Sequence, residues 1–295
     1  MKTFAIIASL IVFCLFSVSS VSAGEWEKSF DISLNATQAT YSDNWTGGEA
    51  GSFSWVWNAN GIFNKQLSPR FMLKNNIKLA FGQTHTQLED ENGNEYWAKP
   101  KKSTDKIDLE SVGLIDLHAF VEPFISFRFE SQFYDASVDT NKRYINPILL
   151  TEAVGIAKQL LKNEKNDILT RLGMALKQNI SRKVQVIDKF ETVSTNDGGI
   201  ESNTDVKLTL SDKLGYVGKL TVYKAFFFSD KDKFKGTEEE DYWKAIDFNW
   251  ENSITASISK YVQVVFYTQL LYDKQISTKG RLKETLAFGL TYKML

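Results

Sequence analysis

The segment Ile125-Ser126-Phe127-Arg128-Phe129-Glu130 alternates an apolar with a polar side chain at every step. Side chains of a β-strand point to opposite faces in turn. The pattern therefore puts Ile125, Phe127 and Phe129, with Phe133 beyond, on one side. Ser126, Arg128, Glu130 and Gln132 fall on the other. One face is wholly apolar and the other carries charge, so this strand separates two very different surroundings.

The same period recurs in both directions along the chain. Phe30, Ile32, Leu34 and Ala36 alternate with Asp31, Ser33, Asn35 and Thr37. Phe53, Trp55, Trp57, Ala59 and Phe63 stand against Ser52, Ser54, Asn58 and Asn60, and Phe71, Leu73, Ile77, Leu79 and Phe81 against Lys74, Asn76 and Lys78. Twelve candidate strands result, near 28–40, 51–63, 70–84, 105–117, 123–134, 148–160, 166–178, 203–211, 216–228, 244–256, 261–273 and 282–294. In 148–160 the spacing of Leu149, Leu150, Ala153, Val154, Ala157, Leu160 and Leu161 fits a helix as well as a strand. The chain holds four prolines and 39 aromatics (Trp 7, Tyr 11, Phe 21), a composition that suits pleated surfaces.

Lys plus Arg is 35 against 36 for Asp plus Glu, so the chain lacks the basic excess that phosphate recognition needs. Nucleic acid is not an expected partner. With 43% hydrophobic residues the chain is too apolar for disorder.

Met1-Lys2 opens an apolar run from Phe4 to Phe16, and small residues follow, ending Val21-Ser22-Ala23. A basic start, an apolar middle and small residues before a cut are the marks of a secretory signal peptide. The run is shorter than the ~20 residues a spanning helix needs. Residues 1–23 are therefore expected to be removed, and 24–295 to form a single domain. Its one cysteine, Cys14, lies in the removed part, so neither disulfides nor thiol chemistry are expected.

Connections point to the kind of domain. The links Asn64–Pro69, His118–Glu122, Leu161–Lys165, Asp212–Gly215 and Ser257–Lys260 are short. Those at Tyr41–Ala50, His85–Thr104, Asp135–Pro147, Asn179–Ser202, Ser229–Trp243 and Lys274–Arg281 are long and polar. Short turns alternating with long loops around an even strand number mark an outer-membrane barrel. The expected fold is all-β: a transmembrane up-and-down antiparallel β-barrel of about twelve strands in a Gram-negative outer membrane, with short periplasmic turns and long extracellular loops. Its expected partners are outer-membrane lipid, the barrel-assembly machinery and a small solute. Trp45, Tyr134, Trp243 and Tyr272 fall towards the long-loop ends, and Trp26 and Tyr261 towards the short-turn ends, as two aromatic girdles require.

Ser42-Asp43-Asn44-Trp45-Thr46-Gly47-Gly48-Glu49 resembles the first loop of an outer-membrane family, domain of unknown function 3078. Thr104-Asp105-Lys106-Ile107-Asp108 is similar to the charged start of that family's fourth strand. Leu271-Tyr272-Asp273, Leu282-Lys283-Glu284 and Gly289-Leu290-Thr291-Tyr292-Lys293 resemble its closing hairpin. The resemblance implies fold and location. The family has no established activity, so it assigns no catalytic residue.

Site chemistry is sparse. No catalytic constellation, cofactor motif or metal-ligand spacing emerges, and an enzyme is not expected. His118 reads as a turn residue and His85 lacks a hydrolase signature around it. The acidic run Glu238-Glu239-Glu240-Asp241 reads as a solvated loop. The polar strand faces carry more information. Lys74, Lys78, Asp108, Glu110, Arg128, Glu130, Arg171, Asp247 and Glu251, with Asp205 and Lys207, are candidate lumen-lining charges. Lys78, Glu110 and Arg128 fall at similar heights on neighbouring strands, so an ion ladder including an Arg128–Glu110 pair is expected. Such charges either line a narrow solute-selecting pore or fill a closed structural or adhesive barrel that acts through its long loops.

Overall fold

The computed structural model describes residues 24–41, 50–138, 142–186 and 189–293. The expected signal peptide, the segment with Trp45 and Met294-Leu295 lie outside the described residues. Twelve long strands follow the chain: β1 Glu27–Ala39, β2 Ser52–Ser68, β3 Phe71–Glu89, β4 Lys101–Ile115, β5 Glu122–Ser131 and β6 Ile148–Lys162. Then come β7 Asp167–Val186, β8 Lys189–Ser211, β9 Leu214–Phe228, β10 Ile246–Ser257, β11 Val262–Tyr272 and β12 Arg281–Lys293. Each pairs antiparallel with its neighbours in sequence, and β1 pairs with β12. The sheet is a closed up-and-down barrel. The ambiguous segment 148–160 is a strand, paired on both sides to β5 and β7.

Exposure shows which face is which. On β5, Ile125 and Phe127 face outward and exposed, while Phe124 is buried inside and Arg128 is mostly covered. Val154, Ile156, Leu172, Met174 and Leu220 continue the exposed apolar surface on β6, β7 and β9. Inside, Lys74, Asp108, Glu110, Arg171, Lys219 and Glu251 are all buried. A soluble protein reverses this arrangement, hiding apolar groups and exposing charge. An apolar outer surface around a polar interior is the architecture of an outer-membrane barrel.

On one inner wall, Phe124, Gly155 and Gly173 stand in one register row across β5, β6 and β7. The two glycines face each other so closely that a Cβ on Gly173 would lie 2.4 Å from the Val154 carbonyl oxygen. A side chain at either position would push the strands apart, and the buried Phe124 ring lies beside this flat patch.

The strands run further than alternation indicates. Asn179–Ser202, expected as a loop, continues β7 and β8 as a paired hairpin up to Val186 and Lys189. Polar residues occupy both faces there, Asn179, Ser181 and Lys183 on one and Arg182, Thr192 and Ser194 on the other, so little apolar contrast marks the strand. Similarly β3 reaches Glu89, a short strand Glu95–Trp97 pairs with it, and β4 begins at Lys101, replacing much of the expected His85–Thr104 loop. Its tip, Asp90–Asn94, is turned by the Asp90 carboxylate, which accepts the Asn92 and Asn94 backbone N–H groups at 2.8 Å. Those bonds, that of Asn94 foremost, hold the Asp90 carboxyl below its ordinary range. At the other end, β2 extends to Ser68 and leaves only Pro69-Arg70 as the turn where Asn64–Pro69 was expected. The Ser229–Trp243 connection contains 3-10 turns at Lys231–Phe234 and, at its far edge, Tyr242–Lys244.

Candidate functional site: charges across the barrel lumen

Inner-face positions recur every second residue, and the barrel brings them together from all sides. Lys106 on β4 reaches Glu251 on β10, with Nζ to Oε1 at 3.1 Å and Oε2 at 3.2 Å. These strands are six positions apart in a ring of twelve, so the bond crosses between opposite walls. Lys219 on β9 meets Glu110 on β4 at 2.6 Å, five strands away. Arg171 on β7 donates to Glu110 and Asp205 at 2.8 Å each. Lys78 on β3 approaches Glu251 at 4.0 Å, again five strands away. Lys74 on β3 binds Asp167 on β7 at 2.9 Å.

Reach is limiting here. The interior of an eight-stranded barrel is just wide enough for side chains to fill, and twelve strands enclose more. One lysine and one carboxylate span the lumen only where the walls come together. The ring is therefore drawn in between β4 and β10, and the ion pairs stand at that narrowing. Arg171, Lys219, Glu110 and Glu251 are nearly shielded from water, so Coulomb attraction there is stronger than at a surface, while Lys78 and Lys106 keep about a third of their side chains exposed.

Arg128 differs from expectation. Its register partner is Glu110, and the two do stand at one height. The guanidinium instead turns diagonally to Asp108, donating from Nε at 2.9 Å and Nη2 at 2.8 Å, and contacts Glu130 at 2.9 Å. The reason is competition: Glu110 already receives Arg171 and Lys219, whereas Asp108 offers both oxygens in the forked geometry a guanidinium matches. Lys106 joins the two groups of charges, lying 3.5 Å from Asp108 as well as bonding Glu251.

Towards the loop end, a second network lines β7, β8 and β9. Lys177 Nζ lies 3.4 Å from the Tyr223 ring centre and 3.6 Å from Glu201. The Tyr223 hydroxyl donates to Asp197, and Asn203 links Glu201 to Thr221. Asp247 is in register with Tyr223 and has no ion pair among the described residues. Lys207 lies on the same inner face as Asp205, nearer the turn end.

Lys106, Lys177, Lys219 and Tyr223 were not among the candidate lining residues, although the alternation that marks Arg128 places each on a polar face. What alternation lacks is any signal of partners as far apart in sequence as Lys106 and Glu251, 145 positions, or Lys78 and Glu251. The other candidates lie elsewhere. His85 packs on Phe53 at 6.5 Å, on the outer face near the loop end. His118 is exposed in a turn, 2.9 Å from Asp116. In the acidic run, Glu240 accepts the Gly236 N–H and Asp241 pairs with Lys244, so these carboxylates fold their own loop. Among the described residues no group of three or more His, Asp or Glu side chains is placed to hold a metal ion.

Solved structures with a similar path include the translocator domain of the autotransporter NalP from Neisseria meningitidis. It is 7% identical over 99% of this chain and 97% of that one, with a TM-score of 0.35. The COG4313 outer membrane channel from Pseudomonas putida F1 is 10% identical over 94% and 97%, TM-score 0.36. The NanC porin is 7% identical over 89% and 97%, TM-score 0.35. No curated protein sequence matches the chain. Residues 36–136, which span the loop end of β1 through β5, match the model of a family described as a protein of unknown function (DUF3078), and the similar closing hairpin at 271–293 lies beyond that match.

Proposed function

We propose that this protein is a transport-related barrel of the bacterial outer membrane whose lumen is held shut at mid-height by an ion-pair lock. The observation that carries the reading is the Lys106–Glu251 bond between opposite walls, with Lys219–Glu110 beside it. A barrel sealed for good is served at least as well by apolar packing, since replacing buried ion pairs with hydrophobic residues is often neutral or stabilising. Charges instead leave a seal that can separate and rehydrate, exposing a narrow, polar, ion-selective path. The chain's own chemistry here is binding and exclusion, and we assign it no catalytic step.

Location is tested by fractionation. The protein should be recovered with outer membranes and run faster on unboiled than on boiled SDS gels, because a closed barrel resists detergent. Recovery as a soluble periplasmic protein without a heat shift contradicts this placement. The lock is tested by swelling of liposomes in small neutral sugars. Wild type should swell at the rate of empty liposomes, and Lys106→Ala/Glu251→Ala should swell faster. Equal flux through both proteins rejects the lock. If neither protein passes sugar, the second reading gains, a closed structural barrel acting through its loop-end hairpins. The long paired extension of β7 and β8 favours that reading.

A further inference from the structure

The wall of the barrel is incomplete along one seam. β1 and β12 pair from Asp31–Lys293 to Asn35–Gly289, and there the pairing stops. Beyond it, towards the loop end, Ala36–Ala39 remain bonded to β2 only, and Arg281–Phe288 to β11 only. Both facing edges lack a neighbour among the described residues. Every other pair of adjacent barrel strands is joined over at least eight residues.

Exposure reports the same gap independently. In the joined part, inner-face Ser33, Asn35, Gly289 and Thr291 are buried, as an intact wall requires. Just above, five consecutive residues, Leu282–Leu286, are exposed whichever face they occupy, and so are Ala36, Thr37 and Gln38. Unpaired backbone groups are strongly disfavoured in hydrocarbon, which is why membrane barrels close. An edge left open at membrane depth needs something polar against it.

Side chains at the seam indicate what that is. Lys283 lies on the inner face, 6.0 Å from the Tyr267 ring, and Arg281 follows it one inner position higher. Arg281 holds Nε and Nη2 away from solvent with no hydrogen-bond partner, an unmet cationic donor pair. On the outer face of the same strand, Leu282, Leu286 and Phe288 stand exposed. Glu284 stands among them, a carboxylate that requires water in an otherwise apolar band. The seam thus offers cations inward, unpaired backbone edges across the gap, and an apolar strip outward.

We infer that this seam is a lateral port for an acyl-chain lipid with an anionic headgroup, passing between the loop-end half of the lumen and the surrounding leaflet. The headgroup oxygens meet Arg281, Lys283 and the open strand edges, while the acyl chain stays along Leu282, Leu286 and Phe288. This inference rests on the membrane placement proposed above, but not on whether the ion-pair lock opens.

The test places the photo-crosslinking residue benzoylphenylalanine at Thr285 of the folded full chain. Vesicles carry either fluorescent phosphatidylglycerol or fluorescent phosphatidylcholine, and the unboiled gel shift confirms folding. Thr285 should capture phosphatidylglycerol several-fold more than phosphatidylcholine, and the same probe at Ser33, inside the joined wall, should capture neither. Extending the register pairs Thr37 with Ala287, so an oxidised Thr37→Cys/Ala287→Cys variant should abolish capture and reduction should restore it. Arg281→Gln/Lys283→Gln should bring phosphatidylglycerol capture down to the phosphatidylcholine level. No lipid adduct at Thr285, equal capture of both lipids, or adducts to protein in place of lipid each overturns the port. Failure of the lock is read separately, since Lys106→Ala/Glu251→Ala alters sugar flux and should leave lipid capture unchanged.

Discussion

Arg128 holds two carboxylates at once, Asp108 through Nε and Nη2 and Glu130 through Nη2. Arg128→Ala leaves those charges together in a poorly hydrated interior, and a broken buried pair costs about 3–5 kcal/mol. Urea unfolding in lipid vesicles should show that loss for the single variant. Arg128→Leu/Asp108→Leu should recover part of it, because the more deeply buried carboxylate is then gone while the more exposed Glu130 still loses its partner, and a double variant as unstable as the single one contradicts the assignment. On the opposite face, Phe127→Lys puts an ammonium against hydrocarbon and should cost about 2–4 kcal/mol if Phe127 lies near the midplane. Near-wild-type stability for Phe127→Lys would mean that this face does not meet lipid. Which face each residue takes was legible from sequence, because alternation along one strand needs only local information. Partner choice was not: Glu110 could be placed at the height of Arg128, but its capture by Arg171 and Lys219 depends on strands up to 109 residues away.

Elements depend on close approach and on where pairing outruns hydrophobic contrast. Gly155 and Gly173 face each other where β6 and β7 come nearest, and a Cβ at Gly173 meets backbone, which cannot step aside as a side chain can. Gly173→Val should therefore cost about 1–3 kcal/mol, the usual range for overpacking, measured by urea unfolding. Gly215→Val should cost less, since its nearest neighbour is 3.9 Å away; equal losses would remove the close-packing argument. The hairpin above Asn179 has polar residues on both faces. Deleting Lys183–Glu191 and joining the paired Arg182 and Thr192 through Asn-Gly should shorten it while keeping the heat-shifted gel band, because hairpin backbone beyond the apolar band adds little to barrel closure. Its polar side chains also explain why the segment reads as loop: bonds between backbones leave no trace in hydropathy. The ambiguity at 148–160 has the opposite origin. There small and apolar residues fit two periods, and only pairing to β5 and β7 decides for a strand.

At the scale of the whole molecule, twelve strands make a ring that can be drawn in or opened, and the pairs between opposite walls set its width. Strand number was legible, because it is a sum over many local signals, whereas two of the expected long loops are largely paired strand. The narrowing between β4 and β10 was not, since it arises from charges that meet only after closure. In the proposed lock, attraction between Lys106 and Glu251 keeps the lumen shut. Charge reversal tests it in planar bilayers with four proteins: wild type, Lys106→Glu, Glu251→Lys, and both together. Each single reversal sets like charges against each other across the lumen and should produce ion conductance, cation-preferring for Lys106→Glu and anion-preferring for Glu251→Lys. Wild type and the double reversal, which restores an opposite-charge pair, should both stay silent. Steady conductance in wild type, or four indistinguishable recordings, would reject the lock.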